Sequence, residues 1–220
     1  MELKVITPPA AEPLTLAETK LHLRVDHTAD DTLITALIAT AREWVESYTG
    51  KSLVEQTRGI TLSSWPYAPI RLHGGPVQEI ESVKYTDKTG AEKTVAATVY
   101  YLTPSGEITL DYGQTWPSDT LRGPDSIAIT YVTGYEPVVT ETEVPVEGGE
   151  EGETETVTTT DYGGNVPRQF KQSMLLLIGT WYELREGVFV GKTTSISGQA
   201  NPMIPFGVKE ILYPLREVSL

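Results

Sequence analysis

The chain has 220 residues, 39% of them hydrophobic and 21% charged, a composition that supports a packed core and excludes global disorder. It contains no cysteine, which removes disulfides, thiolate nucleophiles and cysteine–metal sites together. The net charge is −13, which disfavours tight nucleic-acid binding through a basic patch.

That charge is uneven. No Lys or Arg occurs between Arg122 and Arg168, and the gap holds Asp125, Glu136, Asp161 and the run Glu141, Glu143, Glu147, Glu150, Glu151, Glu153 and Glu155. No run approaches the roughly 18 apolar residues of a bilayer span, and the residues from Met1 to Pro9 lack the apolar stretch of a secretory signal. Folding in the cytoplasm, away from any membrane, is the expectation.

In chain order, Thr15 followed three residues later by Glu18 reads as a capping box that opens a short helix running to about Leu23. The polar stretch Val25–Asp31 reads as a turn. A second helix follows, with Leu33, Ile34, Leu37, Ile38, Ala41, Trp44, Val45 and Tyr48 forming one stripe at helical period. Asp30 and Asp31 suit its positive N-terminal end, and Gly50 its C-terminal cap.

From Leu53 to Tyr135 the period changes to short β-rich segments: Thr57–Leu62, Ile70–Leu72, Ile80–Tyr85, Thr98–Leu102, Ile108–Tyr112 and Ile127–Val132. Turn signals at Gly74-Gly75-Pro76, Asp87–Gly90, Pro104–Gly106 and Gly123-Pro124-Asp125 separate them. They predict a small antiparallel sheet inserted between helices. The stretch Glu136–Tyr162 is rich in Val and Thr around Gly148-Gly149. It reads either as a long acidic β-hairpin, with Pro145 tolerated on an edge strand, or as a disordered acidic loop. A third helix opens near Pro167, with Phe170, Met174, Leu177, Ile178, Trp181 and Leu184 or Arg185 on one face, and Gly187 ends it. Gly191–Pro205 reads as a mobile Gly/Ser-rich link, and a last short helix, Gly207–Leu212, meets Pro214. The fold class is therefore α+β: three main helices and a short C-terminal helix with an inserted antiparallel sheet. The expected division is residues 1–52, an N-terminal helical part; 53–135, the β region; 136–164, the acidic extension; and 165–220, the closing helix and tail.

Catalytic signals are weak. His22, His27 and His73 form no helical pair, and ordinary surface roles suit them better than metal or general-base roles. Asp26, Asp30 and Asp31 lack the spacing of a calcium loop and fit helix capping. Gly163-Gly164 precedes a helix, but Pro167 removes a first-turn donor and no Lys-Ser/Thr follows, so it is no phosphate loop. Trp65, Trp116 and the strand tyrosines suit core or interface packing better than a sugar platform. No catalytic residue, cofactor or metal is assigned.

Several stretches, in order, resemble the head-to-tail connector (adaptor) family of tailed bacteriophages. They are Pro13–Asp26 (PLTLAETKLHLRVD), Asp30–Ile34, Ala41–Gly50 (AREWVESYTG), Gly75-Pro76-Val77 before Ile80–Asp87, Trp116-Pro117, Ile129–Tyr135, Val166–Gln172, Trp181–Glu186 and Pro205–Arg216. The resemblance implies a non-catalytic virion protein of the neck, assembled in the bacterial host cytoplasm. It implies a homo-oligomeric ring, usually of twelve copies, that docks on the portal, continues the DNA channel and receives a neck stopper or tail-terminator protein. Leu37, Trp44, Tyr48, Met174, Trp181 and Arg185 would mark its scaffold helices. Pro214, Leu215, Arg216 and Glu217 would be its portal-contact candidates. The acidic extension between Tyr135 and Val166 departs from the family pattern, so its role is not inherited. The alternative reading is a carbohydrate-binding or hydrolytic tail module.

Overall fold

In a computed structural model the chain is described over residues 2–145, 154–184 and 204–217. The described elements run β1 (Glu2–Thr7), α1 (Leu16–Leu23), α2 (Asp31–Thr49), β2 (Gln56–Leu62), β3 (Ile70–Arg71), β4 (Val77–Thr86), β5 (Glu92–Thr94), β6 (Tyr100–Leu102), β7 (Glu107–Leu110) and β8 (Ile127–Thr133). Then come β9 (Val138–Pro145), β10 (Thr154–Asp161), α3 (Arg168–Glu183), α4 (Phe206–Leu212) and a 3-10 turn, Tyr213–Leu215. The expected α+β class is borne out. The mobile link expected over Gly191–Pro205 falls almost wholly outside the described residues, as do Arg185 and Gly187.

The chain divides into two compact units: residues 1–10, 46–134 and 216–220 in one, and 11–45 and 135–215 in the other. The first is a β unit. Its five-stranded sheet has the order β1-β2-β8-β4-β5, with every pairing antiparallel, and a smaller sheet runs β3-β7-β6. Alternation explains both. Along β8, Ile127, Ile129, Tyr131 and Thr133 are buried while Ala128, Thr130 and Val132 are not, the period of two that puts one face on a core. That core holds Ile60, Val83, Ile127 and Ile129 from the large sheet with Ile70, Tyr100 and Ile108 from the small one. Gly134 leaves β8 at φ 109°, where a Cβ would lie 2.2 Å from the Val54 carbonyl oxygen; only glycine fits.

The second unit is helical. Thr15 Oγ1 accepts the Glu18 N–H at 3.1 Å, as the capping signal requires. The Glu18 carboxylate lies 3.5 Å from Lys171 on α3. Arg24, left-handed at φ 57°, ends α1. The predicted stripe on α2 is buried at Ile34, Ile38, Ala41 and Val45, while Leu37, Trp44 and Tyr48 are half-buried and Leu33 is exposed. Its start is fixed from two sides: Lys20 of α1 contacts Asp31 at 2.6 Å, and Tyr182 of α3 donates to Asp30 at 2.5 Å. Phe170, Met174, Leu177 and Ile178 bury the inner face of α3, which packs on α1 and α4. Among the described residues no helix is long and apolar enough to cross a membrane.

Two strands escape the sequence reading. β1 alternates too briefly before Pro8-Pro9, and β5 (Glu-Lys-Thr) has no apolar residue to reveal it. Truncating a fully buried β8 side chain, Ile129→Ala, should lower unfolding stability by about 2–5 kcal/mol, read by urea titration; a loss within 0.5 kcal/mol would contradict the assigned core.

Candidate functional site: the C-terminal seat and the acidic hairpin

Of the residues singled out in the tail, Arg216 and Glu217 lie at a polar corner of the β unit. The turn His73–Pro76 presents carbonyls that the sheet satisfies. Tyr131 donates its hydroxyl to His73 O at 2.7 Å, the Thr133 hydroxyl lies against Gly74 O and Pro76 O, and Ser52 N–H reaches Gly74 O at 3.2 Å. Burial pushes the Tyr131 phenol up to about 12, so it stays a donor. Gly74 sits at φ 89°, with the Arg58 guanidinium where a Cβ would be.

The C-terminal residues close this corner. Glu217 Oε1 accepts the Gly75 N–H at 2.9 Å, and the Glu217 N–H donates to Thr49 O at 2.8 Å. Thr49 is the last residue of α2, where helix carbonyls lack intrahelical partners. One residue thus satisfies a helix end and a turn amide. Arg216 lies over the Tyr48 ring, 5.0 Å from its centroid, within cation–π range. Beside them Glu46, buried near the end of α2, accepts Leu53 N–H at 2.7 Å and Gln56 Nε2 at 3.3 Å. Pro214 is exposed and Leu215 half-buried. The sequence reading missed Glu46, Thr49 and Gly75. A carboxylate at a position flanking the α2 stripe was the available signal.

The acidic extension is ordered as a hairpin where it is described. β9 and β10 pair antiparallel from Val138↔Asp161 to Pro145↔Thr154. Alternation sets Val139, Glu141 and Glu143 on one face, and the two carboxylates are exposed. Glu155 pairs through its backbone with Val144, while Glu147, Glu150, Glu151 and Glu153 lie outside the described residues. Of the scaffold candidates, Met174 is buried, Leu37, Trp44, Tyr48 and Trp181 are half-buried, and Arg185 is not described. These candidates lie on separate elements.

Candidate chemistry elsewhere resolves into packing. Trp65 and Trp116 stack face to face, with centroids 4.7 Å apart and planes 7° apart, and Tyr85 meets Trp65 edge-on. A ring face covered by another ring is no open sugar platform. Among the described residues no cluster of His, Asp or Glu is placed to hold a metal ion. Among the described residues, Asp87, Lys93, Asp119 and Tyr85 form a dense titratable group. Thr89, then Lys93, hold the Asp87 carboxyl well below the usual carboxylate range. Tyr85, then Lys93, lower Asp119, while Asp119 raises both Lys93 and Tyr85. Every shift locks in a charged pair or a neutral phenol, the behaviour of a clamp on the 87–93 turn.

Comparison with known proteins follows the same line. Residues 13–97 match the family model described as phage gp6-like head-tail connector protein. Over 100% of this chain and 97% of the other, the fold matches a chain from the virion of a native gene transfer agent particle, with TM-score 0.71 and 22% identity. With the same coverage and 21% identity it matches chains from the neck of the empty particle computed with C6 symmetry, TM-score 0.69, and of the native particle computed with C12 symmetry, TM-score 0.68. No curated protein matches the sequence. These findings bear out the resemblance to head-to-tail connector proteins.

Two outcomes follow from the geometry. Glu217→Ala should strip Gly75 N–H of its acceptor, cost about 1–3 kcal/mol and speed amide exchange at Gly75, whereas Glu217→Gln keeps most of the protection; equal exchange in Ala variant and parent would refute the seat. For pH, the depressed Asp87 and Asp119 bind protons more weakly folded than unfolded. Their stabilisation is complete above about pH 4 and is lost as pH falls through the folded values. Melting temperature should therefore drop on acidification below that range, and Asp87→Asn should flatten the dependence.

Proposed function

We propose that this chain is a structural head–tail connector, a ring subunit of a virion neck that joins the capsid to the next neck or tail component. The observation that carries the reading is the family match over residues 13–97, the segment that holds α1, α2 and β2–β5. The end-to-end fold match to chains of the gene transfer agent particle supports it. Nothing in the geometry favours the hydrolytic or sugar-binding alternative, whose Trp65 and Trp116 cover each other.

In this reading twelve copies close a ring under the portal and extend the DNA channel. Pro214, Leu215, Arg216 and Glu217 are the portal-contact segment, and a neck stopper or tail terminator binds the opposite side. The seat at Gly75 bears on this assignment. Glu217 and Arg216 engage their own chain, so a portal that uses them must compete with the Gly75 and Thr49 hydrogen bonds, and Pro214 and Leu215 are the readier contacts. The hairpin supports a second role. Glu141 and Glu143, repeated around a ring, set up a negative field that keeps passing DNA from adhering.

The test is direct. Purified chain, alone and mixed with the portal of the same particle, should give closed rings by electron microscopy and co-sediment with portal. A chain that neither forms rings nor co-sediments with portal, stopper or terminator would end the connector reading.

A further inference from the structure

Among the described residues, the five-stranded sheet leaves one edge strand without an outer neighbour. β1 pairs only with β2, and every residue from Leu3 to Thr7 is exposed, with Leu3 at 44%, Val5 at 46% and Ile6 at 50%. A six-residue edge with three large apolar side chains in water and one cation, Lys4, is the kind of edge that proteins normally blunt or cover. The hairpin is the complementary case. β9 and β10 form a two-stranded sheet of their own, and an isolated hairpin is marginal in water. Its Val139 and Val157 are 57% and 42% exposed. Neither β1 nor the hairpin has a further strand partner among the described residues.

The two edges fit each other chemically. β9 alternates Thr140 and Thr142 with Glu141 and Glu143 along its middle, whereas β10 carries no carboxylate from Thr156 to Thr160. Laid antiparallel, β9 sets Glu141 or Glu143 beside Lys4, and Thr140 or Thr142 then falls beside Val5. Opposite charges and β-branched residues across a pair stabilise it. A closed ring needs this asymmetry, because cyclic interfaces larger than a dimer join two different surfaces of each copy.

We infer that copies of this chain join by strand addition, the outer edge of β9 in one copy pairing antiparallel with the free edge of β1 in the next. The inference rests on the ring assembly proposed above and gives it a donor and an acceptor. Backbone hydrogen bonds supply the affinity, and the Lys4–glutamate pair sets the register.

The absence of cysteine allows a clean test. Full-length Val5→Cys, carrying a size tag, is mixed with untagged Thr140→Cys or Thr142→Cys, oxidised, and read by non-reducing electrophoresis alongside electron microscopy. Strand addition predicts a mixed disulfide dimer from one of the two pairings, in clear excess over tagged homodimer. Rings without that mixed dimer overturn the inference and leave the ring reading intact. Predominant tagged homodimer also overturns it, since it reports β1-to-β1 pairing. Mixed dimer without rings upholds strand addition and removes the closed ring; neither product removes both. As a second measurement, Val5→Lys, on an exposed position, should keep the parent circular dichroism and melting curve yet lose assembly at least tenfold in concentration. Unchanged assembly would count against the inference.

Discussion

The end of α2 is the point on which the β unit depends. A helix that finishes against a sheet carries carbonyls with no intrahelical partner, and burying them unpaired costs as much as the packing around them gains. Here the need is met by groups distant in sequence. Glu217 supplies an N–H to Thr49 and takes one from Gly75, and Glu46 takes the Leu53 amide that begins the next segment. In the Gly74–Gly75 turn, Glu217 accepts the Gly75 amide, Thr133 and Ser52 donate to the Gly74 carbonyl, and Tyr131 donates to the adjoining His73 carbonyl.

Elements governed by local rules were readable beforehand. Thr15 and Glu18 mark the start of α1, the stripe through Ile34, Ile38, Ala41 and Val45 marks α2, and the alternation of Ile127, Ile129 and Tyr131 marks β8, because each pattern is the trace of one face meeting one core. The hairpin was readable through its Val and Thr content. What resisted were features set by distant partners. β5 is a strand only because β4 is beside it, and Glu217 finds Gly75 across 142 residues of separation, with no local mark of that pairing. Glu217 is one of the residues the resemblance singles out, and its intrachain hydrogen bonds to Gly75 and Thr49 have no local sequence signal.

The acidic extension separates two properties that composition merges. Along β9 the carboxylates Glu141 and Glu143 share one face, while Thr140 and Thr142 alternate with them and Thr156–Thr160 of β10 carries only Thr and Val. A segment can then repel a polyanion and still present an edge able to pair. Charge and backbone act in different directions.

The stacked indoles have a use beyond packing. Of the four tryptophans, Trp65 and Trp116 form the parallel pair inside the β unit, whereas Trp44 and Trp181 belong to the helices. Parallel rings at that distance couple their electronic transitions, so the pair gives the β unit a chiroptical signature in the ultraviolet that the helical tryptophans do not share. Unfolding of the β unit can therefore be followed in the unlabelled protein by ultraviolet circular dichroism.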